Sequence, residues 1–200
     1  MKAMCTTGEQ DGAALEKLGG TVLGMGWSTV TDLLEVRFRV NISLHKRGKP
    51  TGPNLTVETL DLLATASITK RVCLRVASSQ YDPLGMACPL LIILKCQLKE
   101  LYKLELAWDE ELSWSLRETW VSLFEMLVLC GGIKFRRCTR PANAVGRCIL
   151  ICYFDGADPA FCIAIYCRWN LDDGTFDVFL VAAKARVAPM LGTSTPRMEL

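Results

Sequence analysis

From Leu34 to Val40 apolar and charged residues alternate at period two, in the order Leu-Glu-Val-Arg-Phe-Arg-Val. That is the pattern of a strand with one face in a core and the other in water. The run TVLGMGW at 21–27 predicts a shorter strand before it, and Thr29 to Asp32 the turn of a hairpin. HKRGKPTGPN at 45–54 is punctuated by glycines and prolines and reads as a loop. Residues 1–20 are polar, Gly-rich and without period, and read as a loose arm.

Helical spacing takes over after Asn54. Thr56 to Ala66 predicts one helix, and Thr69 is placed to cap a second that runs to Ser79. Pro83 in Tyr81-Asp-Pro-Leu-Gly85 breaks the pattern, because proline lacks an N–H and disfavours helix in the residue before it. Pro89 predicts the start of a third helix to about Leu106, with Leu91, Leu94, Leu98, Leu101 and Leu104 as one apolar stripe. A fourth is predicted from Ser113, with Trp114, Leu116, Trp120, Leu123, Phe124 and Leu127 facing inward and Gly131-Gly132 ending it.

The last third is rich in Ile, Val, Phe and Tyr. Segments 147–154, 161–169 and 175–183 are separated by Asp155-Gly-Ala-Asp-Pro159 and by Asn170-Leu-Asp-Asp-Gly174. Both separators are turn formers, and Asp173-Gly174 is a strong hairpin signal. The pattern predicts an antiparallel three-strand meander. Ala188 to Pro196 reads as irregular, and Arg197-Met-Glu-Leu200 as the first turn of another helix. The fold class is therefore α+β, with a short hairpin, a helical segment and a meander.

Composition narrows the function. Half of the 200 residues are apolar and the net charge is only +2, which speaks against wholesale disorder and against a strongly basic nucleic-acid clamp. The ten cysteines form no Cys-x-x-Cys pair and His45 is the sole histidine, so a structural zinc site is not expected. Cysteines inside apolar runs, as in Cys148-Ile-Leu-Ile-Cys152, predict reduced, buried thiols. The first 20 residues lack the apolar core of a signal peptide, and the greasiest run, Met86 to Leu94, is half a bilayer span. An intracellular chain, cytoplasmic or nuclear and not secreted, is the expectation, with no membrane partner.

Candidate chemistry is sparse. No base accompanies any Ser, Cys or Thr, and Gly131-Gly132 lacks the Gly-Lys-Ser/Thr of a phosphate loop. Lys46, Arg47 and Lys49, and the cations of Lys134-Phe-Arg-Arg-Cys-Thr-Arg140, suit either a nucleic-acid backbone or an ordinary solvated surface. The tryptophans at 27, 108, 114, 120 and 169 are read as core rather than base-stacking platforms.

Four ordered blocks carry a family resemblance. YDPLG at 81–85, followed by an apolar helix and LAWDEEL at 106–112, is similar to a segment of the Pol polyprotein of BEL/Pao LTR retrotransposons, where an FDPLG-type motif precedes a GLxWD-like sequence. CYFDGADPAFCIAIYCR at 152–168 resembles the family's FCDAS-type strand, turn and strand. LVAAKARVAPMLGTSTPRMEL at 180–200 resembles its LVxAKxRVAP…PRLEL pattern, and LGMGW at 23–27 the region after reverse transcriptase. The resemblance implies that residues 21–55 end the reverse-transcriptase region and 56–132 connect, while 133–200 open a truncated RNase H-like domain.

It also implies a site. RNase H-type hydrolysis holds two divalent ions about 3.5–4 Å apart on a cluster of carboxylates, and Mg²⁺ suits such oxygen ligands. Asp155 matches the family's first-strand aspartate and Glu199 the glutamate of its first helix. As a lone residue, Asp155 in DGAD reads as a turn former. Gly156-Ala157 stands where the family has Ala-Ser, and the sequence stops at Leu200, before the family's remaining carboxylates. The cluster is therefore expected to be incomplete. The parent family acts on RNA–DNA hybrids with Mg²⁺; this chain is expected to bind both weakly or not at all and to lack activity alone. The Pao name also attaches to a peptidase. An aspartic peptidase needs Asp-Thr/Ser-Gly turns, and Asp155-Gly-Ala and Asp173-Gly-Thr have the wrong order. Two other readings stand beside the fragment. One is a host-retained module that binds proteins through the 89–130 helices or binds nucleic acid; the other is the N-terminal part of a longer RNase H-containing protein.

Overall fold

The computed structural model describes residues 25–43 and 52–189. It is an α+β fold with two three-stranded antiparallel sheets. The expected hairpin is present: β1 (Met25–Ser28) pairs with β2 (Leu33–Arg37), and Asp32 adopts a left-handed φ of 50° in the turn. A strand that the sequence pattern did not announce, β3 (Gly132–Arg136), pairs with the far edge of β2. The chain thus returns to its own beginning after four helices. Val36 is fully buried on the inner face of this sheet, with Ile133 and Phe135 packed beside it.

The Thr56–Ala66 helix is broken into a 3₁₀ turn at Val57–Thr59 and a single turn, α1 (Leu62–Thr65). Thr56 and Thr59 form a capping box at the start of the 3₁₀ turn, the Thr59 hydroxyl accepting from the Thr56 N–H at 2.9 Å. Thr69 caps α2 (Lys70–Ser79) by accepting from the Val72 N–H, as its position predicts. α3 spans Cys88–Lys103, and α4 spans Trp114–Cys130 and ends at Gly131 with φ 62°.

The leucine stripe of α3 is real at Leu91, Leu94 and Leu101, but the helix stops before Leu104, which is 40% exposed. The chain leaves the helix there so that Trp108 can reach α2: its carbonyl accepts from the Arg71 N–H, and Asp109 takes the Arg71 guanidinium at 2.8 and 3.2 Å. The Lys70 ammonium lies 4.7 Å from the Tyr102 ring centroid and 5.3 Å from that of Trp108, a cation between two ring faces. LAWDEEL is thus a clamp on the start of α2.

Trp120, Phe124 and Leu127 of α4 close the core against α2, α3 and the first sheet. Trp114 does not join them. As the first residue of the helix it points outward and is 71% exposed. Of the other tryptophans, Trp27 and Trp108 are nearly half exposed and Trp169 is half-buried, so the core reading holds for Trp120 alone among the five.

The meander is β4 (Ala144–Ala157), β5 (Ala160–Leu171) and β6 (Phe176–Val187), each strand longer than its apolar run. Gly174 at φ 83° and the Asp173 carboxylate, which accepts from the Thr175 N–H at 2.8 Å, form the predicted β5–β6 turn. The first turn lies later than 155–159 would place it. Asp155, Gly156 and Ala157 all pair across to β5, and the chain reverses at Asp158-Pro159.

YDPLG joins the two halves. The Asp82 carboxylate accepts from the N–H groups of Met86 and Ala87 at 2.9 and 2.7 Å and so holds the entry to α3. The Leu84 carbonyl accepts from the Ala183 N–H at 2.8 Å on the outer edge of β6. Gly85, at φ 75°, sits so close that an added Cβ would lie 1.8 Å from the Ala183 oxygen. No other residue type fits there.

The meander adds little to the core, burying only Gly156, Cys167 and Ala185 within its strands. Phe154, Leu150 and Tyr153 are each more than 60% exposed. The Cys148–Cys152 run is part of this surface: Cys148 is half-buried and Cys152 exposed, against the buried thiols the run suggests. The nine described cysteines are unpaired.

Two outcomes follow. Asp82→Ala removes the acceptor for two amides at the start of α3 and lowers stability by about 1 kcal/mol, read from the urea midpoint. The open meander faces make the folded chain bind ANS and self-associate at micromolar concentration. A sharp monomer peak without ANS fluorescence would show that those faces are covered in solution.

Candidate functional site

Asp155 lies near the end of β4, opposite Cys162 of β5, which in turn stands opposite Ala185 of β6. Strand alternation puts Tyr153 and Ile151 on the same face of the sheet. Tyr166 stands opposite Ile151, and its ring meets that of Tyr153 edge to face at 5.8 Å. Arg168, Phe176 and Val178 complete a groove of about 550 Å³ on this face, with the Arg168 guanidinium 4.3 Å over Phe176. Asp155 itself is exposed and has no hydrogen-bond partner among the described residues.

Along the three strands, no second carboxylate shares that face. Asp177 stands opposite Trp169 and points the other way. Among the described residues no three His, Cys, Asp or Glu side chains come together as a metal-binding group. Glu199 and the rest of PRMEL lie outside the described residues. On this face of the described sheet Asp155 is the one carboxylate, and one carboxylate does not by itself fit a pair of Mg²⁺ ions.

The basic stretches divide. His45, Lys46, Arg47 and Lys49 lie outside the described residues. In the 134–140 run, three arginines turn toward the protein. Arg137 donates to both carboxylate oxygens of Asp32 at 2.6 and 3.0 Å, and its guanidinium lies 5.5 Å from the Trp27 ring. Arg136 lies 5.6 Å from the Phe179 ring and Arg140 5.2 Å from the Trp169 ring, so both reach from the β3 segment onto the meander. The sequence left these roles undecided, because spacing does not say which aromatic ring an arginine meets. Burial pushes the thiols of Cys73, Cys88 and Cys96 up, away from the thiolate form a nucleophile needs.

A family model described as a Pao retrotransposon-like RNaseH-like domain matches residues 69–200. The chain belongs to this family. The match opens at Thr69, the cap of α2, and includes the YDPLG dock, the LAWDEEL clamp and the whole meander. Helices with two antiparallel sheets agree with part of an RNase H-like fold, and the chain is retrotransposon-derived. RNase H-like domains generally act with Mg²⁺ on RNA–DNA hybrids. No curated protein and no solved structure matches the chain. No helix among the described residues is long and apolar enough to cross a membrane.

The Asp32–Arg137 pair has a pH signature. The Arg137 guanidinium, with the Trp27 indole N–H, holds the Asp32 carboxyl below its ordinary value. A carboxylate depressed in the folded state contributes stability above its unfolded pKa, about 3.9, and loses it as pH falls through the folded value. Asp32→Asn should therefore flatten the acid limb of the stability profile below about pH 4, measured by urea unfolding across pH.

Proposed function

We propose that the chain is the section of a BEL/Pao-type Pol polyprotein that leads from reverse transcriptase into RNase H, and that Asp155 is the first metal-holding carboxylate of the nuclease. The position of Asp155 carries this reading. It is an exposed acid on the ladder of β4, where a fixed backbone aims it off the sheet, and it is not the turn residue that DGAD suggests in isolation. In-strand placement restricts the carboxylate far more than a loop does, which is what ligating a metal requires. Glu199 is proposed as the second ligand, on its match to the glutamate of the family's PRLEL motif.

The chain alone is proposed to lack nuclease activity. Support comes from the sheet face, where one carboxylate stands without a second. In-line hydrolysis of a phosphodiester needs water activated on one side and the leaving oxygen stabilised on the other, and one carboxylate cannot arrange both. What Asp155 can do is bind a hydrated Mg²⁺ weakly and favour its approach by charge. The groove beside it offers a phosphate backbone a single cation, Arg168, among aromatic and aliphatic side chains, so hybrid binding is proposed to be weak as well. The compartment is proposed to be intracellular, in keeping with the free cysteines.

The test is cleavage of an RNA–DNA hybrid in Mg²⁺ by the 200-residue chain and by a form extended through the rest of the RNase H-like domain. No cleavage is expected from the first. Cleavage is expected from the second, lost at least about 100-fold in Asp155→Asn, because the amide keeps the shape and removes the charge that holds the metal. Cleavage by the extended form that survives Asp155→Asn would place the first ligand elsewhere.

A further inference from the structure

Residues 55–66 and 105–130 hold eight carboxylates and a single cation, Arg117, in a chain whose net charge is +2. These two stretches meet in the fold. α1 and the turn before it lie against the first half of α4, and between them runs an open groove of about 750 Å³. Leu60, Trp114 and Val121 give it an apolar floor and rim, and Asp61, Glu118 and Glu125 line it with negative charge.

The one cation does not neutralise it. Arg117 turns its guanidinium to the carbonyls of Leu63, Ala64 and Ala66, at 2.6, 2.8 and 3.3 Å, and is occupied in ending α1. Asp61, Glu118 and Glu125 have no ion-pair partner among the described residues. A 71%-exposed tryptophan beside three unpaired carboxylates favours neither water nor a nucleic-acid backbone. Indole gains from an apolar contact, and the acids gain from cations set around that contact.

We propose that this groove is a protein-docking site for a basic amphipathic helix of a partner polypeptide, an aliphatic side chain packing on Trp114 and Val121 and flanking Lys or Arg pairing with Asp61, Glu118 and Glu125. The site is independent of the nuclease reading. It lies in the helical half of the molecule and uses none of the meander's residues.

The probe is a fluorescein-labelled peptide of about 18 residues, five helical turns, with leucine at helical spacing and lysine elsewhere. A twin with glutamate in place of lysine serves as its control. Fluorescence anisotropy against the whole chain should show binding of the lysine peptide alone, weakening with salt. Asp61→Lys/Glu118→Lys and Trp114→Ala alter exposed side chains and should each weaken it about tenfold while the urea midpoint stays in place. Equal binding of both peptides, or unchanged affinity in both variants, overturns the proposal; the apolar faces of the meander then account for the association. Self-association of the chain that disappears in Trp114→Ala overturns it in favour of a second copy as the occupant.

Discussion

Backbone meets backbone at Gly85, and the two halves of the molecule depend on that approach. The Ala183 carbonyl stands where any side chain at Gly85 would have to be, and the neighbouring Leu84 carbonyl takes the Ala183 N–H. A hydrogen bond on a sheet edge is worth only about 1 kcal/mol net. Its importance lies in position, since it fixes α3 along β6 while Asp82 holds the start of the same helix. The motif that identifies the family, YDPLG, is therefore structural: a break, a cap and a dock in five residues.

The meander hung on this dock differs in kind from the core. Trp120, Phe124 and Leu127 are sealed among three helices and a sheet, as a self-supporting core requires. β4, by contrast, runs for 14 residues with no partner on its outer edge among the described residues, and apolar side chains on both faces meet water. An open edge of this kind is a template for pairing with another strand. Asp155 near the end of this strand fits that picture, because a carboxylate on an edge strand stands next to whatever is added.

Much of this was legible in the sequence where the pattern is local. Thr69 as a cap, Pro83 as a break, Gly131 as a stop and Asp173-Gly174 as a turn each depend on a few adjacent residues. What was not legible depends on distant partners. β3 becomes a strand only because β2 offers an edge, 99 residues earlier at the Glu35–Lys134 pair. DGAD reads as a turn until the pairing of Ala157 with Ala160 carries the ladder through its first three residues. Trp114 and Trp120 look alike in a helical stripe, and only the neighbouring α1 decides that one lines a groove while the other fills the core. Asp155 was named by resemblance; its place on the ladder became visible only in the fold.

Native-state hydrogen exchange on the Gly85→Ala variant tests the dock most directly. Its methyl group cannot coexist with the Ala183 carbonyl, so the loop must withdraw from the edge of β6. Amides of β5 and β6, Ala183 first among them, should then exchange much faster, while those of Phe124 and Leu127 in α4 keep their protection. Unchanged protection at Ala183, or equal loss in the core and the meander, would contradict the claim that this contact holds the edge of the meander to the helical half.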